Sequence, residues 1–178
     1  MTRVPVRSLL TLLLALGVTA AVLVWLRELG GPEAVRARFG ARAVLVSFPA
    51  HVITTLTPLG EIVPFGVANG AAYGVAWGAG LNLAAWMVAA ALQYAFGRGA
   101  AAEVNRRSLP GWLGRVPLTH PVALVAGRWL PGGGPLVDAA AGAAGVPFSR
   151  AMALAALGHV PQAVVIAAVG AGLLRAFG

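Results

Sequence analysis

Hydrophobic and polar positions alternate in long blocks along this chain, with apolar runs separated by short stretches that carry arginine. Residues 8–26 are uncharged and rich in Leu, Val and Ala, behind Arg3 and Arg7. That length predicts a membrane helix, which needs about 20 apolar residues. The small residues Val18, Thr19 and Ala20 fall inside the run rather than after it, which favours a retained helix over a cleaved leader. Residues 27–42 turn polar: Gly30, Gly31 and Pro32 break the helix, and Arg36, Arg38 and Arg42 follow. They predict either a short helix along the headgroups with its arginines snorkelling, or a plain polar loop. The apolar run 43–58 is interrupted by Pro49 and His51. Neighbouring helices can satisfy the backbone freed by one proline, and a lone histidine without a partner ligand is expected to be a hydrogen-bonded interior residue. Residues 75–97 form an uncharged run of 23, long enough to span with some tilt. Gly70, Gly74 and Gly78, spaced four apart, predict a face on which a second helix packs closely, and Trp77 and Trp86 read as packing or interface residues. The stretch 98–115 is the main polar loop and separates two halves; residues 151–174 predict the last span, with His159, Pro161 and Gln162 inside it.

Two segments break this pattern. In residues 124–147, LVAGRWLPGGGPLVDAAAGAAGVP, apolar ends enclose Arg128, Asp138, two prolines and three consecutive glycines. A charge at membrane depth costs a few kcal/mol even on lenient insertion scales, so both charged residues need a reason to be there. Pro131, Gly132, Gly133, Gly134 and Pro135 do not continue a helix, which predicts two half-helices meeting at a break. Irregular backbone at that depth is tolerated where it is buried in protein or lines a wet cavity, which makes the segment a candidate re-entrant hairpin; the alternative is a surface loop. Residues 58–75, PLGEIVPFGVANGAAYGV, repeat the chemistry, with two prolines bracketing Glu61. GAAYGV after Pro64 matches GAAGV after Pro135, a short match in an alanine- and glycine-rich chain, but one expected of a transporter built from related halves.

Composition settles the class. Hydrophobic residues make up 59% of the 178 and charged ones 10%, with a mean hydropathy of +0.84, so an integral membrane protein forming one compact bundle is expected. The net charge of +8 comes from thirteen arginines spread over termini, loops and the central hairpin. Without a basic stripe or an aromatic platform, no nucleic-acid partner is expected. There is no cysteine, hence no disulfide and no thiolate chemistry.

Enzyme readings lack their parts. The four serines, Ser8, Ser47, Ser108 and Ser149, have no Gly-x-Ser-x setting for a rhomboid-like protease, and a lipid phosphatase of the common type needs a lysine this chain does not have. Five carboxylates and three histidines are scattered without ligand spacing, so neither a metal nor a cofactor is expected. Binding and translocation fit better. Backbone N–H groups of Gly132, Gly133 and Gly134 and the following half-helix N-terminus form a candidate anion cradle. Arg128 supplies a fixed charge for bidentate grip of a phosphate. Asp138 is placed to pair with Arg128 in the empty site, and Glu61 completes the candidate substrate-binding set; Glu61, Asp138 and His159 are the candidate proton-coupling groups. A lipid phosphate is then the expected substrate. A structural role, with Arg128 and Asp138 neutralising each other to hold the hairpin, is the competing account.

The run RWLPGGGPLVDAAAGAAGVPFSRAMALAALGHVPQAVVIAAVGAG resembles the signature region of the DedA-like, or SNARE-associated Golgi protein, membrane family, whose shared unit is the VTT domain. The matching positions are Arg128 and Pro131, Ala141 and Gly142, Pro147 and Phe148 with Arg150, then Gly158 and Pro161. Upstream, PFGVANGAAYG is similar to the family's proline, Ala-Ala-Gly and aromatic-Gly pattern, and Arg98 stands at its Gly-Arg. The resemblance covers roughly residues 43–172 and divides the chain into 1–42, an N-terminal membrane helix and interfacial segment, and 43–178, a VTT-like domain. It implies an all-α polytopic helical bundle with two opposed re-entrant hairpins in the cell (inner or plasma) membrane. It also implies a flippase or scramblase for a phospholipid or undecaprenyl phosphate, with no cofactor. Asp138 replaces the asparagine of many eukaryotic-like relatives, and Glu61 is a single acid where DedA proper carries a fuller acidic pattern. The family implies cytoplasmic termini, whereas eight arginines in the two loops against three at the termini argue the reverse. The lipid, the coupling ion and a homo-oligomeric state are left open by the residues. So are two rival classes: a small-solute or ion transporter, and a membrane-shaping scaffold.

Overall fold

The computed structural model describes residues 40–56, 63–100, 119–130 and 133–177, with isolated positions between 28 and 38. The predicted first span, most of the predicted interfacial segment and loop, Glu61, Pro131 and Gly132 lie outside the described residues. Among the described residues there is no strand: all are helical apart from short turns, bends and the connector Val146–Pro147. A 3-10 turn, Gly40–Ala43, leads into α1 (Val44–Thr55), then come α2 (Val63–Ala100), α3 (Pro121–Ala126) with a 3-10 extension Gly127–Trp129, α4 (Gly133–Ala143) and α5 (Phe148–Phe177).

The 38 residues of α2 are two helices, because Gly74 takes φ 76° and ψ 175°, a conformation open to glycine and strained for any residue with a Cβ. The chain reverses there. A Cβ on Gly78 would lie 2.8 Å from the carbonyl of Asn69 and from Gly70, whereas a straight helix separates residues 70 and 78 by about 12 Å. The short arm before Gly74 and the long arm after it therefore run antiparallel. This corrects the expected glycine face: Gly70, Gly74 and Gly78 do not line one helix. Gly74 makes the turn, Gly78 seats the short arm, and Gly70 meets the backbone of Ala167 in α5.

The second half is built alike. α3, its 3-10 extension and α4 form a short pair that folds back on itself, and Gly145 (φ 72°) then turns the chain into α5. The weak match of GAAYGV with GAAGV thus marks two left-handed glycines, Gly74 and Gly145, at the same place in each half. The long arm of α2 and α5 are antiparallel: Tyr94 packs on Phe148 and Trp86 on His159, with ring centroids 5.4 Å apart in both pairs. Each long helix receives the short helix of the other half at a glycine. A Cβ on Gly97 would run into the backbone of Ala139, and one on Gly142 into Tyr94; a Cβ on Gly170 would run into Val67, and one on Gly70 into Ala167. These are backbone-to-backbone contacts of the small-residue kind that hold helices together in lipid.

The buried core is small and alanine-rich, with Tyr94, Leu124, Ala141, Val146 and Ala151 forming its main cluster. Large apolar side chains point outward instead, among them Leu45, Phe96, Leu157 and Val165. Phe65–Ala100 and Phe148–Gly172 have mean hydropathies of 1.6 and 1.8, yet only 33% and 28% of their apolar windows are buried inside the protein. An inside-out distribution of this kind suits a surround of hydrocarbon.

Candidate functional site

Local sequence explains how Arg128 reaches the interior. His120 and Leu130 each precede a proline and are extended (ψ 130° and 142°), as the residue before proline prefers, so the helical stretch between them is short and ends just past Arg128. The chain tightens into Gly127–Trp129 at that end. Gly158 in α5 leaves room for the arginine stem: a Cβ there would lie 3.1 Å from the Arg128 Cδ. The Arg128 side chain is wholly buried and pairs through Nη2 with the buried Asp138 carboxylate of α4, so the two charges singled out across the proline-glycine break do meet. Gln162 Nε2 donates to the Arg128 carbonyl at 3.3 Å, and the His159 Nδ1 lies 3.4 Å from Gln162 Oε1. Since the Gln162 amide nitrogen is committed to that carbonyl, its Oε1 faces the imidazole as an acceptor.

Two of Arg128's donor groups, Nε and Nη1, have no acceptor among the described residues. Nε–H lies on the edge it shares with Nη2, beside Asp138, and Nη1 lies on the other side of Nη2. The two are therefore separate donors, each able to meet an oxyanion oxygen, and a full two-bond grip also needs Nη2, which Asp138 now holds. Gly133 and Gly134 already belong to α4, the Gly133 N–H donates to the Leu130 carbonyl at 2.8 Å, and a Cβ on Gly133 would meet the Gly127 carbonyl. The missing side chain at Gly133 lets α4 close on Gly127, next to Arg128. Among the described residues no three His, Asp or Glu side chains converge as a metal site would need.

A second buried polar cluster lies in the first half. Of its members the sequence singled out His51 alone, as a hydrogen-bonded interior residue, and His51 is indeed fully buried with the Asn69 amide at its Nδ1. Asn82 Nδ2 donates to the Gly66 carbonyl at 3.1 Å, Asn69 Nδ2 donates to Asn82 Oδ1 at 2.8 Å, and Asn69 Nδ2 also lies 3.3 Å from His51 Nδ1. His51 stacks on Phe65 (5.6 Å) and meets Trp86 edge-on (6.0 Å). Trp86 in turn touches His159, so this one indole joins the polar clusters of both halves. Neutral amides inside apolar runs were the available signal.

The VTT domain family model matches residues 57–172, well over half of the chain and all of the paired halves from the short arm of α2 to the end of the apolar part of α5. The chain belongs to the VTT-domain family. This is the domain of the DedA-like and SNARE-associated proteins, and the resemblance drawn from the arginine, proline and glycine pattern stands. No curated relative and no solved structure matches the chain. Within the VTT domain, Arg128, Asp138 and His159 are brought together, while Glu61, inside the matched range, lies outside the described residues. A membrane transporter-like role is what membership supports.

Proposed function

We propose that this VTT-domain protein carries a lipid phosphate, a phospholipid or a polyprenyl phosphate such as undecaprenyl phosphate, across the cell membrane as a flippase or scramblase. One observation carries the reading: a fully buried guanidinium holds one carboxylate and keeps two donor groups without an acceptor among the described residues. A buried charge left with unfilled hydrogen-bonding capacity is costly unless a ligand uses it. A phosphate headgroup offers several acceptor oxygens to those donors, and once it displaces Asp138 from Nη2 it can use a two-bond edge as well. Asp138 is the placeholder that holds Arg128 in the empty form.

On this reading the two folded-back pairs are re-entrant hairpins inserted from opposite faces of a multi-pass protein. The headgroup crosses between them while the acyl or prenyl tails stay in the bilayer. The outward apolar side chains support a lipid-facing exterior. Asp138 and His159 adjoin the arginine and, with Glu61, are the groups through which proton coupling would act. The test is flux of a labelled lipid phosphate in vesicles reconstituted with the purified protein. Arg128→Ala abolishes flux, and Arg128→Lys retains little, because an ammonium lacks the planar fork. Flux by Arg128→Ala equal to that of the parent removes Arg128 from the mechanism. Transport of free phosphate or another small solute without lipid flux assigns the frame to a solute carrier instead.

A further inference from the structure

The hydrogen bonds of the first-half cluster fix the tautomer of His51. The Gly66 carbonyl can only accept, so the Asn82 nitrogen faces it and Asn82 Oδ1 turns to Asn69. Asn69 Nδ2 donates to that oxygen, and its other hydrogen points at His51 Nδ1, which must accept. The ring proton of His51 is therefore on Nε2. That N–H is fully buried and has no acceptor among the described residues. Among the described residues the buried side-chain atoms left without a partner are thus His51 Nε2 and Arg128 Nε and Nη1, all of them donors. A chain of contacts joins them: the Trp86 ring touches both His51 and His159, and His159 shares Gln162 with the Arg128 carbonyl.

We propose that His51 Nε2–H is a second oxyanion-contact donor, a station of the first hairpin to which a phosphate oxygen passes from Arg128 along the Trp86 ring. The inference rests on the proposed function above and adds a residue to its path. A buried donor without a partner among the described residues calls for an acceptor, and the shared ligand that relieves Arg128 relieves His51 as well. Phe65 and Trp86 hold the imidazole from its face and its edge, which keeps the N–H aimed while the ligand moves.

The experiment uses full-length protein in detergent micelles with 15N-labelled histidine and arginine, titrated separately with inorganic phosphate and with dioctanoyl phosphatidic acid. His51→Phe assigns the imidazole signal. The expected result is a downfield move of the His51 Nε2–H signal over the same concentration range as that of Arg128 Nε–H. A response to both ligands assigns the site to phosphate as such, a response to the phosphatidic acid alone to the lipid headgroup, and each supports the proposal. An Arg128 response with an unmoved His51 overturns it and leaves the lipid-phosphate reading intact, whereas silence from both signals overturns the two together. In vesicles, His51→Phe lowers flux about tenfold, the worth of one buried hydrogen bond. His51→Gln, which keeps an N–H donor, stays within about twofold of the parent. Equal flux in the phenylalanine variant and the parent reduces His51 to a packing residue and overturns the proposal.

Discussion

Removing the Asp138 carboxylate separates a structural pair from a placeholder. In Asp138→Ala the guanidinium of Arg128 loses its one described side-chain acceptor while Nε and Nη1 already have none, and the arginine remains wholly enclosed. Breaking one side of a buried pair costs about 3–5 kcal/mol, most of it the stranded charge rather than the lost attraction. Replacing the arginine as well, in Arg128→Met with Asp138→Ala, removes that charge and keeps an unbranched stem against Gly158. The double variant is therefore more stable than Asp138→Ala alone, a strong non-additivity of contacting residues. If phosphate takes the carboxylate's place, it stabilises Asp138→Ala more than the parent, because in the parent it must first displace Asp138. At a hundred times its Kd the gain is about 2.7 kcal/mol, which restores a large part of the loss. The assay is denaturant unfolding in mild detergent, followed by tryptophan fluorescence with and without phosphate. A change on Asp138→Ala within about 0.5 kcal/mol, the range of an ordinary surface substitution, would falsify the buried-charge argument. Equal phosphate stabilisation of parent and variant would refute the placeholder role.

The packing makes further demands. Gly74→Ala and Gly145→Ala each force a side chain into a left-handed conformation and cost about 1–2 kcal/mol in the same unfolding assay. The two losses add, since the turns lie at opposite ends of the antiparallel long helices. Gly97→Leu and Gly142→Leu displace α4 from α2 and lower the yield of folded protein on size-exclusion chromatography, whereas Gly80→Ala, with open space around it, leaves the yield unchanged. Tyr94→Phe removes a 2.6 Å bond to the Val146 carbonyl and a 3.0 Å bond from Arg98, and lowers stability by about 1 kcal/mol with little effect on flux.

The meeting of Arg128 and Asp138 was legible in the sequence because two charges in an apolar field are conspicuous, and prolines on both sides of a glycine run leave a fold-back as the natural way to bring them together. The helical character and the later end of the chain were legible for the same reason, through long uncharged runs. What escaped was the reversal at Gly74. Glycine is compatible with either sign of φ, so a Gly-rich run reads equally as a small-residue helix face or as a turn; only its counterpart at Gly145 hints at the difference. The Asn69 and Asn82 pairing escaped because these neutral side chains, 13 residues apart, become neighbours only once that reversal has occurred, and His51 reaches Asn69 from a separate helix 18 residues earlier. Trp86 carried no sign in the sequence of joining two polar groups, as an indole in an apolar run suits packing just as well.

The reciprocal docking of each short helix on the opposite long one has a consequence for biogenesis. Val67, Gly70 and Ala71 emerge from the ribosome some hundred residues before Ala167 and Gly170, the backbone they are shaped to touch. Until then the first hairpin has a bare glycine flank and an amide network walled on one side by lipid alone. Its completion is deferred to the end of translation, so truncation ahead of α5 should yield a species that quality-control proteases recognise, however well its earlier helices insert.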